Sequence, residues 1–220
     1  MALAIFDLDN TLLAGDSDHR WGEFLCEIGL VEAEDYGLKN DQFYADYQAG
    51  ELDMTAYLDF VLAPLAGKTR DEVRALQRRF VAECVEPMLL DKAFELLNTH
   101  RIAGDTLLMM TATHEVVAAP VAARLGLEHW LGSAVDITDN RHTGKSEGVP
   151  CFQEGKVAHL AGWRERHVGI PDPIDTWFYS DSHNDLPLLN SVGHPVAVDP
   201  DTTLIAHAEA QGWPVISLRP

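Results

Sequence analysis

Three short apolar runs in this chain each stop abruptly on a polar cluster. Residues 3–6 run into Asp7-Leu-Asp9-Asn10-Thr11, residues 106–110 into Thr111-Ala112-Thr113, and residues 176–180 into Asp181-Ser-His-Asn184-Asp185. Continuous apolar runs bounded in this way suit strands of a parallel sheet covered on both faces. Two more short strands are predicted at 195–198 and 214–218, with helical patterns near 88–101, 114–125, 154–166, 184–191 and 201–211. That alternation predicts an α/β fold with a doubly wound, Rossmann-like parallel sheet. In such a sheet ligands bind beyond the carboxyl ends of the strands, where the three polar clusters would meet.

The stretch from about 14 to 86 breaks the alternation. Trp21, Phe24, Leu25 and Ile28 recur at helical spacing, and Tyr36, Phe43, Tyr44 and Tyr47 make a looser stripe. Met54, Tyr57, Leu58, Val61, Leu62 and Leu65 form a third stripe, and Val73, Leu76, Phe80 and Val81 a fourth. The fourth follows Thr69-Arg-Asp-Glu72, a capping-box spelling. Four amphipathic helices without a strand predict a small helical bundle inserted after the first strand. The expected division is a core of residues 1–14 and 87–220 and a helical cap of 15–86, with crossings near 13–16 and 84–88.

Composition narrows the function classes. The chain carries 35 acidic against 16 basic residues, a formal net charge of −19, with 46% hydrophobic residues. That apolar content can build a core, so disorder is excluded as the default state. The negative charge disfavours nucleic acid and anionic membrane surfaces as partners. Cys26, Cys84 and Cys151 show no zinc or disulfide spacing, and the 10 histidines no ligand spacing. The apolar run before Asp7 is too short for a signal sequence, and nowhere are there enough consecutive apolar residues for a membrane span. A soluble, cytoplasmic protein is expected.

Taken singly, each polar cluster reads equally as a turn or a helix cap. Together they would bring Asp7, Asp9, Asp181 and Asp185 to one place, where mutual repulsion calls for a cation. Oxygen ligands point to Mg²⁺, whose open coordination positions suit a phosphate. A lysine is needed for the remaining phosphoryl charge. Lys156 stands after Gly155 at a helix start, and Lys145 in Gly144-Lys-Ser is its competitor.

The order of these clusters resembles the haloacid dehalogenase superfamily of phosphatases. Asp7-Leu-Asp-Asn-Thr11 is similar to its first motif, Thr111 after Leu-Leu-Met-Met to its second, and Gly155-Lys156 to its third. Asp181-Ser-His-Asn-Asp185 before Leu-Pro-Leu-Leu189 resembles the fourth, in the spelling of phosphoserine-phosphatase-like members, whose cap also follows the first strand. The resemblance covers nearly the whole chain. It implies that Asp7 is the nucleophile that becomes an aspartyl-phosphate, and that Asp9 is the general acid and then the base. It further implies that Mg²⁺ is bound by Asp7, the Asp9 carbonyl and Asp181. Thr111 and Ala112 would bind phosphate, Lys156 would neutralise it, and Asn184 would touch phosphate or leaving group. Asp185 would orient a metal-bound water or Lys156.

The resulting expectation is a Mg²⁺-dependent phosphomonoesterase acting on a small-molecule phosphate ester. The rival is a phosphoryl-accepting signalling module or an inactive phosphometabolite-binding scaffold. Asp9 and the insert count against a receiver-like module, and the intact Asp7, Asp9, Lys156 and Asp181 against an inactive scaffold. Acids crowd residues 1–55, where Arg20 and Lys39 are the bases. Asp16 and Asp18 at the entrance to the cap would favour an ammonium or imidazolium leaving group, or would simply cap the following helix. Phosphoserine is the first candidate by resemblance. Thr113 and His114 stand where serine-specific members carry small glycines, and histidinol phosphate suits the acidic entrance better. Segment 136–147 has the composition of a hairpin.

Overall fold

The computed structural model describes residues 2–167 and 169–220. β1 (Leu3–Phe6) is followed by four helices, α1 (Ser17–Glu27), α2 (Ala33–Ala49), α3 (Met54–Leu62) and α4 (Arg70–Phe80), and then by α5 (Asp91–Ala103). The chain continues through β2 (Thr106–His114), α6 (Glu115–Arg124), β3 (His129–Ser133), β4 (Val135–Thr138), β5 (Arg141–Ser146) and α7 (Glu154–Arg166). It closes with β6 (Thr176–Ser180), the short α8 (Leu186–Leu189), β7 (His194–Val198), α9 (Thr202–Gln211) and β8 (Val215–Ile216). Among the described residues no helix is long and apolar enough to cross a membrane.

Six strands form one parallel sheet in the order β3-β2-β1-β6-β7-β8. The order reverses at β1, so the ends of β2, β1 and β6 lie side by side at the switch point. Alternation divides the strand residues between two apolar clusters. Ala4, Phe6, Leu107, Met109 and Tyr179 face one way, and Leu3, Ile5, Leu108, Met110 and Phe178 the other.

The first cluster does not stop at the sheet. It runs on through Trp21, Phe24, Leu58, Val61 and Phe80 of the helical insert. Trp21 and Phe80 meet edge to face at 5.1 Å, and Gln77 Nε2 on α4 donates to the Val116 carbonyl of α6 at 2.7 Å. The predicted capping box is present at Thr69 and Glu72.

Three details depart from the sequence expectation. β3 was not anticipated, because its half-polar spelling His-Trp-Leu-Gly-Ser shows no apolar run. β2 runs on through His114, with an irregular register between Met110 and His114, which carries its threonines beyond the apolar stretch. The hairpin segment forms β4–β5, turning at Asp139 and Asn140, both with positive φ. It joins the insert: His142 exchanges main-chain bonds with Gly67 and Lys68 at 2.8 and 2.9 Å.

Candidate active site

Asp7 follows β1 directly, and its amide continues the ladder by donating to the Tyr179 carbonyl at 2.9 Å. The chain then turns sharply, with Asn10 in the left-handed region at φ 55°. Asp7, 4% exposed, accepts from Lys156 Nζ at 2.8 Å. Lys156 also meets both oxygens of Asp185, at 2.6 and 2.7 Å, and Ser180 Oγ donates to the same carboxylate at 2.7 Å. One ammonium thus bridges the first and fourth clusters. It reaches them because α7 starts against the preceding loop: a Cβ on Gly155 would stand 2.1 Å from the Pro150 carbonyl oxygen. Lys145 is elsewhere, on the hairpin, paired with Asp59 at 3.0 Å.

Asp9 is held from two sides. Its Oδ1 accepts from the Ser17 amide at 2.6 Å and its Oδ2 from Thr113 Oγ1 at 2.5 Å. Thr111 Oγ1 donates to Thr113 Oγ1 at 3.0 Å, and Ala112 lies between them with its carbonyl bound by Ser133. Asp181 accepts from Thr11 Oγ1 at 3.1 Å. The structure therefore brings together Asp7, Asp9, Thr111, Ala112, Thr113, Lys156, Asp181 and Asp185 at the ends of three neighbouring strands.

The electrostatics follow from burial. Desolvation pushes Asp7 up to about 7, opposed by Lys156 and reinforced by Asp185. Desolvation and then Asp16 push Asp9 up to about 7, against its hydrogen bonds. Asp181 is raised by burial, Asp7 and Asp185. Burial pulls the Lys156 ammonium down, but Asp185 and Asp7 outweigh it and raise its pKa. The carboxylates thus outnumber the single lysine in a largely buried site, a surplus of negative charge that a cation would relieve. Among the described residues no three carboxylate, imidazole or thiol side chains gather closely enough to enclose a metal by themselves. Two carboxylates and a main-chain carbonyl, completed by water, are a donor set that suits Mg²⁺ and would poorly serve zinc.

Beside the carboxylates lies a cavity. It is lined by Asp7, Asp9, Thr111 and Thr113 of the strand ends, by Asp16, Asp18 and Asn40, and by the rings of Phe43, Tyr44 and Tyr57. Neither lysine nor arginine is among its described lining residues. Asp16 caps α1, accepting from the Asp18 and His19 amides at 3.0 and 2.7 Å. Asp18 lies behind it, 3.1 Å from His114 Nε2. Asn40 is 2% exposed, and its Oδ1 meets no donor among the described residues.

Two expected contacts are placed differently. His114 does not reach the cavity: it is fully buried beneath Asp18, edge-on to Trp21, because the extension of β2 carries it inward. Burial lowers its pKa to about 3, so it stands neutral beside Asp18. The Asn184 side chain is taken up by protein partners and is not among the residues that line the cavity. Its Nδ2 donates to the Tyr47 carbonyl at 3.1 Å and its Oδ1 accepts from Gln153 at 3.0 Å, which ties the fourth cluster to the end of α2. Sequence reasoning gave no role to Thr11, Ser17 or Ser180. Each is a small hydroxyl residue within or beside a carboxylate cluster, which is the signal that marks them.

The haloacid dehalogenase-like hydrolase family model matches residues 4–190. A histidinol-phosphatase of Neisseria meningitidis serogroup C is 42% identical over 219 residues, covering 99% of both chains. A crystal structure of a Bordetella pertussis protein of unknown function superposes with a TM-score of 0.91 at 37% identity, covering 99% of each chain. A phospho-aspartyl intermediate analogue of phosphoserine phosphatase shares the fold, with a TM-score of 0.67 at 16% identity over 99% of this chain and 93% of that one.

Proposed function

The chain belongs to the haloacid dehalogenase-like hydrolases and is a phosphatase of that family; from this premise we propose that it is a Mg²⁺-dependent phosphomonoesterase forming an aspartyl-phosphate on Asp7. The substrate is a small ester with an amine-bearing leaving group, histidinol phosphate ahead of phosphoserine, and the setting is amino-acid biosynthesis in the cytoplasm. The observation that carries the mechanism is the different tethering of two carboxylates two residues apart. Asp7 is held by a lysine at 2.8 Å, and Asp9 by a hydroxyl at 2.5 Å and an amide at 2.6 Å.

An Asp7 oxygen attacks phosphorus as the ester P–O bond breaks, and the Asp9 carboxyl gives its proton to the departing alkoxide. Asp9, now a carboxylate, takes a proton from water as that water attacks phosphorus, and the bond from Asp7 to phosphorus breaks. Lys156 keeps Asp7 oriented and offsets phosphoryl charge, while Thr111 and the Ala112 backbone bind phosphoryl oxygens. Asp7, Asp181 and the Asp9 carbonyl would hold Mg²⁺, which when bound supplies the positive charge that lets a carboxylate approach a phosphate dianion.

Substrate class rests on the cavity walls. Asp16, Asp18 and aromatic rings favour a cationic leaving group. With no lysine or arginine among the described lining residues, the carboxylate of phosphoserine finds no cation among them. The 42% identical relative bears the name histidinol-phosphatase, in agreement. A phosphate-release screen over histidinol phosphate, phosphoserine and sugar phosphates, with Mg²⁺ and with chelator, tests the proposal. The highest kcat/KM is expected for histidinol phosphate, and none in chelator. Turnover undiminished by chelator would remove the metal, and no turnover of any ester the whole assignment.

A further inference from the structure

The turn that carries Asp9 is held from its far side by a residue remote in sequence. Arg219 follows β8, and its guanidinium spans the turn: Nη1 donates to the Leu13 carbonyl and Nη2 to the Asn10 carbonyl, each at 2.9 Å. The segment bearing it is anchored in turn. The Leu218 amide donates to Asp199 Oδ2 at 3.0 Å, the Leu218 side chain is buried in the larger apolar cluster, and Lys92 Nζ donates to the Arg219 carbonyl.

The turn depends on such support. Asn10 sits at φ 55°, a conformation that a non-glycine residue keeps only when its surroundings over-determine it. Within the turn, the Asn10 amide donates to the Gly15 carbonyl at 2.9 Å and the Leu13 amide to the Leu8 carbonyl at 3.1 Å. Those bonds tie the turn to itself. The Ala14 amide reaches Met88 at 2.7 Å, beyond Leu13, whereas the guanidinium reaches back to Asn10, the neighbour of Asp9. A planar fork can satisfy two carbonyls at a fixed separation, which a single ammonium cannot.

We propose that Arg219 is a positioning residue: by clamping the Asn10–Leu13 turn it sets the Asp9 carboxyl against the leaving-group oxygen. This rests on the acid–base role proposed for Asp9. Asp7 is fixed independently, by its ladder bond to Tyr179 at 2.9 Å and by Lys156 at 2.8 Å. Asp9 has its own holds on the carboxylate, from the Ser17 amide at 2.6 Å and Thr113 at 2.5 Å, but its main chain runs straight into the clamped Asn10, so losing the fork displaces Asp9 more than Asp7. A misplacement of about 1 Å costs up to ~10²-fold in rate. The loss should fall more heavily on alkyl esters, whose leaving groups need a proton, than on aryl esters.

Arg219→Ala and Arg219→Lys, in the whole chain with Mg²⁺, are compared with wild type on histidinol phosphate and on an aryl phosphate, with melting temperatures recorded. Arg219→Ala should lower kcat on the alkyl ester by roughly 10- to 100-fold with KM little changed, and lower the aryl rate distinctly less. Arg219→Lys should recover little, and added methylguanidinium should restore part of the Arg219→Ala rate on the alkyl ester. Equal losses on both esters, a rise in KM at constant kcat, or a lower melting temperature at full kcat would each overturn the proposal. Asp9→Asn separates it from its premise. If Asp9→Asn loses both esters equally, the acid–base role falls and the proposal with it; if Asp9→Asn is selective for alkyl esters and Arg219→Ala is not, only the role of Arg219 falls.

Discussion

Thr113 Oγ1 donates to Asp9 Oδ2 at 2.5 Å, and Thr111 Oγ1 donates to Thr113 at 3.0 Å, so a chain of hydroxyls on β2 orients a carboxylate that follows β1. Bonds from hydroxyl to carboxylate are among the stronger ones in proteins. Thr113→Val keeps the branched shape and removes the donor. It should cost the lower part of the ~1.5–3 kcal/mol assigned to a bond with a charged group, a loss of about tenfold in kcat on alkyl phosphates. Parallel assays with aryl and alkyl esters check this, since the aryl rate should fall less.

Asp7→Asn keeps the volume of the side chain and removes the nucleophile. Phosphate release should vanish while circular dichroism stays that of the wild type, because Lys156 keeps its pair with Asp185 at 2.6 Å. A variant turning over at near-normal rate would take Asp7 out of the mechanism.

The buried carboxylates also set a pH dependence of stability. Asp7 and Asp9 rise from 3.8 to about 7, and Asp16 from 3.8 to about 6. The folded state therefore binds these protons more tightly than the unfolded chain does. The stability they contribute is complete at pH values below about 4 and is lost as pH climbs towards 7. Metal-free protein should lose melting temperature on these groups' account between pH 5 and 7.5. Mg²⁺ should raise it more at pH 7.5, where the charge it offsets is present, each kcal/mol appearing as about 2–4 °C. Calorimetry showing equal Mg²⁺ effects at both pH values would count against the carboxylate site.

Asp16 and Asp18 are separable. Asp16 caps α1, and Asn caps about as well, so Asp16→Asn should leave the melting temperature nearly unchanged. Its effect on an amine-bearing ester then reports recognition alone. Asp18 faces a neutral His114 at 3.1 Å and so has no cationic partner there. Asp18→Asn should lower turnover of an amine-bearing ester by roughly 10- to 100-fold, the equivalent of ~1.5–3 kcal/mol, and leave an aryl phosphate untouched. Equal losses on both esters would move Asp18 from recognition to folding.

The parts legible in the sequence were those written in local patterns. Apolar runs ending on Asp7, Thr111 and Asp181 located three adjacent strands, and helical stripes located the insert between β1 and β2. What escaped depends on contacts remote in sequence. β3 is half polar and is a strand because β2 lies beside it. His114 looked available next to Thr111, yet the irregular register of β2 turns it beneath Asp18. Asn184 belongs to a cluster of polar residues but spends its amide on the Tyr47 carbonyl, 137 residues away in sequence. No local spelling reports that pairing, nor the reach of Arg219 to Asn10.

The apolar cluster that joins one sheet face to the insert decides how this molecule comes apart. Ala4 and Phe6 share it with Trp21, Leu58 and Phe80, so peeling the helices away would open the cluster that lies against one face of the sheet. Insert and sheet should then melt as one cooperative unit, with the slowest-exchanging amides of α1 and of β1 opening at the same free energy. Excised alone, the helices would display the Trp21 and Phe80 face to water and stick to one another. Whatever hinge admits substrate must accordingly be a small rotation of α2 and its neighbours over a shared floor, not the swing of a free-standing module.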